Sequence, residues 1–426
     1  MKKVWKRFLA VTMSIGCLTG LVGCSDSGKE ADKSKETKNP ESISIICTSD
    51  DVEYFKYIGD IYKEKYGIDV KLISQAYDDT KTKIATTVTS GNADICYLDV
   101  VWPAEFSDKG MIISLDEYFS EDMQSKFLDG TVSQMKAGDS IYGMPTCANG
   151  KWMYYNKKML EEGGFKEPPK TWDEFKKVCT SLQEQGLCKY GIAWPAQQAE
   201  GIMCDITTMI YSFGGAWFDD NGAPAYNQQE AVEAVTFMKN SIDDGWADPS
   251  SVSYSDRDAL NSFLAGDAAF TMCFSYGWDT ANDPAQSKVA DNVGICLVPG
   301  SNGTVSAAVT GGGGLGILST SKNPDWAWKY LELFGDEDIQ KKGIELAGLL
   351  PSLKAVYEDE EVLKENETLS VFYPQFEYSV NRPAIAQYTE WSNTMQVAYS
   401  SIFNGDVDVQ KGLDQAVKDT EQYLDN

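Results

Sequence analysis

Residues 143–160 read Gly143-Met-Pro-Thr-Cys-Ala-Asn-Gly-Lys-Trp-Met-Tyr-Tyr-Asn-Lys-Lys-Met-Leu160, and they separate two α/β halves of the sequence. Residues 140–145 predict a short strand closed by proline, residues 148–150 a flexible polar crossing, and residues 152–155 a buried aromatic strand. A short helix is predicted from Asn156 to the glycine pair at 163–164. A polar, glycine-containing crossing between two lobes forms a hinge. Asn149 then lies beside whatever binds between the lobes.

The half before this crossing alternates strands and helices. Strands are predicted at residues 41–48, 68–73 and 94–98, with amphipathic helices between them, and this order is typical of a parallel sheet with helices on its faces. Ligands meet the carboxyl ends of strands in such sheets. The polar and aromatic residues at those ends are Ser49, Asp50, Tyr77, Asp78, Asp99 and Trp102.

The second half repeats the pattern. Strands are predicted at residues 189–194, 268–274 and 293–299, and the polar segments after the first two contain Trp194, Gln198 and Glu200, then Tyr276 and Trp278. The glycine run around Gly312 lacks the Gly-Lys-Ser/Thr ending of a phosphate-binding loop. It indicates either a close approach of backbone to a ligand or a second flexible crossing. A third crossing is predicted at 349–353, and the remainder is predicted to be mainly helical, with Trp391 inside the helix 383–403.

The amino terminus has the pattern of a secretory signal peptide, with basic residues followed by a short apolar run that ends in Leu21-Val22-Gly23-Cys24. This ending resembles a bacterial lipobox, so residues 1–23 are predicted to be removed and Cys24 to be lipid-modified. Residues 24–41 are predicted to be the lipidated cysteine followed by a solvated, disordered tether. Several acyl chains on Cys24 would give a stable membrane anchor.

Composition excludes several function classes. The 426 residues are enough for two cores rather than one. Without residues 1–23 the chain carries 33 Lys+Arg against 64 Asp+Glu, a net charge of −31, which repels nucleic acid and anionic headgroups. The sequence contains no histidine and no CxxC motif, so neither a metal site nor a cofactor is expected.

The sequence contains ten cysteines, of which eight follow Cys24. Cys47, Cys96, Cys273 and Cys296 lie in strand-like runs, where a small apolar thiol packs well. Cys179 and Cys188 could form a disulfide, but sequence spacing does not supply the geometry. Mostly free, buried thiols are the favoured interpretation.

Four stretches in order resemble the bacterial extracellular solute-binding proteins of ABC importers, specifically the sugar-binding group related to maltose-binding protein. They are the lipobox with its tether, the crossing at 143–157, the segment from Gly266-Asp-Ala-Ala-Phe-Thr-Met to Gly277-Trp278, and the glycine run followed by 321–334. Together these stretches span nearly the whole mature chain. Each stretch alone is too degenerate to identify the family, and it is their order along the chain that makes the resemblance specific.

The resemblance implies an α/β, two-lobed periplasmic-binding-protein-like fold, with two mixed, mainly parallel sheets flanked by helices and a hinged cleft. We place one lobe at residues 42–148 plus 307–350 and the other at residues 149–306 plus 351–426. The resemblance also implies a receptor rather than an enzyme, which is monomeric, is lipid-anchored on the extracytoplasmic face of the membrane, and delivers a saccharide to permease subunits.

A sugar ring has an apolar face and an edge crowded with hydroxyls, so its site needs flat aromatic surfaces beside short polar side chains. The resemblance places Trp102, Trp278 and Trp391 among the cleft aromatics and Asn149 at a polar sugar contact; the loop 194–200 matches in place but differs in length. The candidate ligand-binding residues are Asp50, Asp99, Trp102, Asn149, Trp194, Gln198, Glu200, Tyr276, Trp278, Gly312 and Trp391.

Three alternatives to a sugar receptor remain open at the level of sequence. A secreted glycoside hydrolase would use paired carboxylates, and acidic residues are plentiful, although no catalytic motif is present. The same fold could bind a peptide or a cation, and a cation would show a salt-dependent affinity. A structural surface protein would bind no small ligand saturably.

Overall fold

A computed structural model describes residues 39–49 and 51–424, and all the elements below belong to one folded unit that begins at Pro40. The twelve strands of the described residues are β1 (Ser42–Thr48), β2 (Asp69–Gln75), β3 (Ile95–Asp99), β4 (Lys136–Ala137), β5 (Ser140–Ile141), β6 (Met144–Gly150), β7 (Trp152–Asn156), β8 (Tyr190–Ala193), β9 (Ala268–Cys273), β10 (Val293–Cys296), β11 (Ala308–Ile317) and β12 (Ser379–Val380). The predicted signal peptide, Cys24 and most of the predicted tether lie outside the described residues.

The seventeen α-helices of the same residues are α1 (Val52–Tyr66), α2 (Tyr77–Ser90), α3 (Trp102–Asp108), α4 (Glu121–Gln124), α5 (Asp129–Ser133), α6 (Lys157–Glu162), α7 (Trp172–Glu184), α8 (Glu200–Ser212), α9 (Gln229–Asp243), α10 (Asp256–Leu264), α11 (Tyr276–Asn282), α12 (Pro324–Leu331), α13 (Glu337–Ala347), α14 (Glu360–Glu365), α15 (Glu367–Phe376), α16 (Tyr388–Phe403) and α17 (Val409–Thr420). Their ends follow local signals. Gly67 ends α1 in the left-handed conformation, the Asn156 side chain caps α6, and a capping box of Ser255 with Asp258 starts α10.

The larger sheet has the strand order β12-β11-β3-β1-β2, and β6 also pairs with β11. β1 runs parallel to both β2 and β3, with Ile45 opposite Leu72 and Ile95. This pairing confirms the parallel arrangement predicted for the first half of the sequence. All five residues of β3 are buried, as expected for a strand of a parallel sheet that is covered on both faces.

The smaller sheet has the order β10-β7-β9-β8. Only β8 and β9 are parallel, whereas β7 is antiparallel to both β9 and β10. The mixed character agrees with the prediction, but the expected excess of parallel pairs is wrong for this sheet. β7 carries the chain away from the larger sheet and β10 leads back toward it, so the two strands run in opposite directions.

The first crossing between the sheets is shorter than predicted. β6 continues to Gly150 and β7 starts at Trp152, so Lys151 alone separates the two strands. Residues 148–150, predicted to be a flexible loop, instead pair with residues 310–312 of β11. The glycine run of β11 allows this pairing because its backbone can approach β6 closely.

Two glycines of β11 are required by their surroundings. Gly312 has a φ of +99°, and a Cβ there would lie 2.7 Å from the carbonyl oxygen of Cys147. A Cβ on Gly313 would lie 2.7 Å from the Tyr97 ring. The run therefore serves a bulged strand pairing, with a register shift between Gly313 and Gly314, and leaves room for an aromatic ring.

Helices α8, α9, α16 and α17 pack against one another. The chain reaches α16 through β12, which pairs with β11 of the larger sheet although it lies within the range 351–426 predicted for the second lobe. A two-residue strand is too short to produce a recognisable hydrophobic pattern. The other predicted lobe boundaries remain predictions.

Candidate functional site

A cavity of about 720 Å³ lies where the end of β3, the β6–β7 crossing, β11 and the starts of α8, α10 and α11 come together. Its lining residues combine aromatic rings, carboxylates, small polar groups and one guanidinium. The aromatic members are Tyr77, Tyr97, Phe274 and Tyr276, and the charged members are Asp51, Asp99, Glu200, Asp256, Asp279 and Arg382.

One wall comes from the carboxyl end of β3 and the start of α2. The Tyr77 hydroxyl donates to Asp99 Oδ2 at 2.7 Å, and the Val101 N–H donates to Asp99 Oδ1 at 3.3 Å. The Tyr77 ring stacks on Trp102, with centroids 6.2 Å apart and planes inclined by 22°. Burial and the adjacent Asp99 carboxylate raise the pKa of Tyr77 above its ordinary value, which keeps the hydroxyl protonated as a donor.

Asn149 lies at the end of β6 and links the two sides of the cavity. Its Oδ1 accepts from the Gly150 N–H at 2.9 Å and from the Ser275 N–H at 3.2 Å. Within the described part of the chain its side-chain amide donates to no protein group. Gly311 and Gly312 lie opposite in β11 and expose backbone to the cavity.

Arg382 joins the two walls from the segment between β12 and α16. Its Nη1 donates to Glu200 Oε1 and its Nη2 lies 3.6 Å from Asp99 Oδ1, with only 7% of the side chain exposed. The other partners of Glu200 come from α16: Tyr388 donates to Oε1, and Ser392 and Gln396 donate to Oε2. Both oxygens of Glu200 are therefore occupied by protein donors.

A buried ion cluster lies behind the cavity at the first crossing. Lys151 Nζ donates to Asp205 Oδ2 at 2.9 Å and to Asp256 Oδ1 at 2.6 Å, and the Lys151 side chain is fully buried. Burial alone lowers the pKa of Lys151, but the two carboxylates outweigh it and raise the pKa well above the ordinary value. Burial raises the pKa of Asp205 to about 7, against the opposing effect of Lys151. Lys151 thus holds Asp256 at the cavity edge.

Five of the predicted site residues come together in the cavity wall: Asp99, Asn149, Glu200, Tyr276 and Gly312. They come from five different elements or connections, so the fold brings them together from distant parts of the sequence. Asp50 lies outside the described residues.

The cleft position predicted for Trp194 and Trp391 is wrong. Both side chains are fully buried; Trp194 Nε1 donates to Ser241 Oγ at 2.8 Å, and Trp391 packs edge-to-face on Trp217 with centroids 5.1 Å apart. A tryptophan at a strand end or on a helix has the same sequence pattern in a core as in a cleft.

Three further predicted residues do not line this cavity. Trp102 is 7% exposed and lies behind Tyr77, packed between that ring and Phe106. Trp278 is half-buried and packs edge-to-face on Phe372. It lies on the short helix α11, where the sequence predicted a polar segment after the strand. Gln198 is exposed in the loop before α8.

Tyr97, Asp256 and Arg382 also line the cavity but were not among the predicted residues. Tyr97 lies inside an apolar strand and Asp256 follows a helix cap, so neither differs from a structural residue in pattern. Arg382 did carry a signal, because it is one of three arginines in the sequence and is followed by a proline in a chain of strong negative charge.

The described residues contain no metal site, no membrane-spanning helix and no disulfide. They contain no group of three or more His, Cys, Asp or Glu side chains arranged to hold a metal ion. None of their helices has both the length and the apolar character needed to cross a membrane. The eight cysteines that they include are all free, so Cys179 and Cys188 do not form a disulfide.

Comparisons with known proteins agree on one family. The model described as bacterial extracellular solute-binding protein matches residues 48–341. A probable ABC transporter-binding protein of Deinococcus radiodurans is 27% identical over 356 residues, covering 81% of this chain and 83% of that protein. The maltotriose-binding protein of Pyrococcus abyssi is 26% identical over 307 residues, covering 69% of this chain and 62% of that protein. The solved structure of maltose-bound MalE3 of T. maritima has a TM-score of 0.76 and 26% identity, covering 89% of this chain and 99% of that one.

Proposed function

Because this chain belongs to the bacterial extracellular solute-binding protein family, we propose that it is the saccharide receptor of an ABC-type importer. The monomeric protein binds an oligosaccharide in the cavity between the two sheets. It then delivers this ligand to membrane permease subunits. Members of this family bind solutes for transport and are not enzymes, so a glycoside hydrolase is no longer a competing interpretation.

The observation that carries the saccharide proposal is the mixed surface of the cavity. Tyr77, Tyr97, Phe274 and Tyr276 supply flat apolar area, and carboxylates and the Asn149 amide stand between them. Sugars present an apolar face and a hydroxyl-rich edge, and this combination matches both. The volume of about 720 Å³ lies within the range of small-molecule sites and exceeds the space that a single water or ion needs.

The ligands of two relatives support the same class. The Pyrococcus relative is named for maltotriose, and the T. maritima structure contains maltose. The second candidate ligand for the same fold is a cation or a peptide. The five carboxylates that line the cavity favour it.

A thermal-shift screen with neutral oligosaccharides, amino sugars and short peptides tests the proposal. A ligand that binds only the folded state at about 100 times its Kd adds about 2.7 kcal/mol to the free energy of unfolding, so the correct saccharide raises Tm by several degrees. Calorimetry should give one site per chain, and the ligand should be recovered unchanged after incubation. A response to peptides but to no saccharide would contradict the proposal.

We propose that the mature protein is anchored on the outer face of the cell membrane through Cys24, as the sequence Leu21-Val22-Gly23-Cys24 indicates. Replacing Cys24 with serine removes the thiol that would carry the lipid, so the protein should remain unprocessed or appear in the medium. Fractionation with mass spectrometry of the amino terminus checks this. A processed Cys24→Ser protein that stays in the membrane fraction would contradict the anchor.

A further inference from the structure

Four of the five cavity carboxylates fall into two groups according to their protein partners; the fifth, Asp51, accepts from the Thr48 hydroxyl at 2.6 Å. Asp99 accepts from Tyr77 and Val101 and lies beside Arg382. Glu200 accepts from four protein donors. These two carboxylates have little accepting capacity left, so they shape the wall instead of recognising a ligand.

Asp256 and Asp279 form the second group. Asp256 Oδ1 accepts from Lys151, but among the described residues no donor reaches its Oδ2, and 28% of the side chain is exposed. Gly201 makes room for that oxygen, because a Cβ there would lie 2.2 Å from it. Asp279 lies one turn after Tyr276 on α11, is exposed, and in the described part of the chain has no hydrogen-bond partner. Both carboxylates therefore have oxygen atoms that can accept a hydrogen bond from a ligand.

The Tyr97 hydroxyl points independently to a bound ligand. Tyr97 is only 8% exposed and lines the cavity, yet within residues 39–49 and 51–424 its hydroxyl has no hydrogen-bond partner. Unlike the hydroxyls of Tyr54 and Tyr399, the Tyr97 hydroxyl is not sealed from solvent, so it can donate to or accept from a ligand in the cavity. A polar group of the ligand would supply the missing partner.

The cations near the cavity are already engaged. Lys151 is shared between Asp205 and Asp256, and Arg382 lies between Asp99 and Glu200. Arg257 stacks on the Tyr276 ring at 5.1 Å but is not among the lining residues. The accepting oxygens of Asp256 and Asp279 thus face the cavity with an excess of negative charge.

We propose that the saccharide bound here carries a protonated amine, which donates to Asp256 Oδ2 in the field of Asp279. This inference rests on the proposed saccharide-binding function and narrows its ligand to amino sugars. A carboxylate bonds an ammonium group more strongly than a neutral hydroxyl because the hydrogen bond is charge-assisted. The Tyr97 hydroxyl then pairs with a ring hydroxyl of the same sugar.

The test compares ligands that differ only in this charge. Calorimetry is performed with glucosamine oligosaccharides carrying free amines, with the same oligosaccharides after N-acetylation, and with neutral glucose oligosaccharides of equal length. The free amine should bind at least about tenfold more tightly than the other two, and its affinity should fall between about 0.02 M and about 0.5 M salt.

Matched asparagine variants locate the effect. Asp256→Asn and Asp279→Asn should each lower the affinity for the free amine at least about threefold more than the affinity for the neutral oligosaccharide. Asp279 has no hydrogen-bond partner in the described part of the chain, so its variant remains informative if loss of the Lys151 contact unfolds Asp256→Asn. Asp220→Asn, at an exposed turn outside the cavity, should change nothing.

The outcomes separate this inference from the proposed function. Tight, salt-independent binding of neutral or N-acetylated oligosaccharides would overturn the inference and leave the saccharide receptor standing. A preference for the amine that survives in both asparagine variants would also overturn it. Failure of every saccharide to bind would overturn the proposed function and this inference together.

Discussion

Replacing Lys151 with methionine is expected to lower the free energy of unfolding by about 3–5 kcal/mol at neutral to alkaline pH, as for other buried ion pairs that lose one partner. Lys151 and Asp205 are both fully buried, and among the described residues Asp205 Oδ1 has no hydrogen-bond partner. Removing the ammonium leaves the Asp205 carboxylate without a compensating charge in a site that water does not reach. Denaturant unfolding of parent and variant measures the loss.

The loss should depend on pH. Burial raises the pKa of Asp205 to about 7 in the folded protein, whereas an unfolded aspartate has a pKa of about 3.9. The folded state therefore binds the proton more tightly, and the stability contribution of Asp205 is complete below about pH 4 and falls as the pH rises to about 7. Without Lys151 this pKa rises further, so the difference between variant and parent should grow from pH 5 to pH 8.

A double variant provides the control. Adding Asp205→Asn to Lys151→Met removes the buried negative charge and should restore part of the lost stability at pH 8. Lys158→Met changes an exposed lysine of α6 and should have little effect. If Lys151→Met is as stable as the parent at both pH values, the cluster does not support the crossing between β6 and β7.

Replacing Tyr77 with alanine is expected to weaken saccharide binding by about 2–4 kcal/mol, or about 30-fold to 1,000-fold, the range for an aromatic hot spot. Tyr77 is 47% exposed and lines the cavity, and Trp102 stacks behind its ring. A sugar ring that stacks on Tyr77 would lose this surface in the variant. Because the ring is half exposed, the free energy of unfolding should fall by only about 1 kcal/mol.

Two further variants distinguish stacking from other effects. Tyr77→Phe keeps the ring and loses the hydrogen bond to Asp99, so its affinity should fall by no more than about tenfold. Trp278→Ala removes a ring that packs on Phe372 outside the cavity, so binding should change by less than about threefold. A larger loss for Trp278→Ala than for Tyr77→Ala would show that the ligand occupies a different surface.

Local sequence signals predicted much of the fold. The alternation of strands and helices before residue 100 indicated the parallel strands β1 to β3, and Asn156 marked the start of a helix that the structure has. These signals succeed because dihedral preferences and capping hydrogen bonds act within a few residues. The extended pairing of β6 with β11 was missed because it depends on a strand about 160 residues later.

Aromatic residues show where pattern reasoning fails. Trp194 and Tyr276 both follow a strand, yet Trp194 is fully buried and Tyr276 lines the cavity. A large apolar side chain gains free energy by burial in a core as well as against a ligand, so its type does not distinguish the two. The placement of neighbouring elements decides between them.

The sequence by itself determined the α/β class, the order of the elements and the resemblance to solute-binding proteins, because hydrophobic periodicity and short motifs are local. Only the tertiary structure decided which carboxylates keep free acceptors for a ligand. Asp99, Glu200 and Arg382 meet from three distant parts of the chain, as do Lys151, Asp205 and Asp256. Coulomb energy and hydrogen bonding depend on distances between atoms, and the packing of the elements sets these distances.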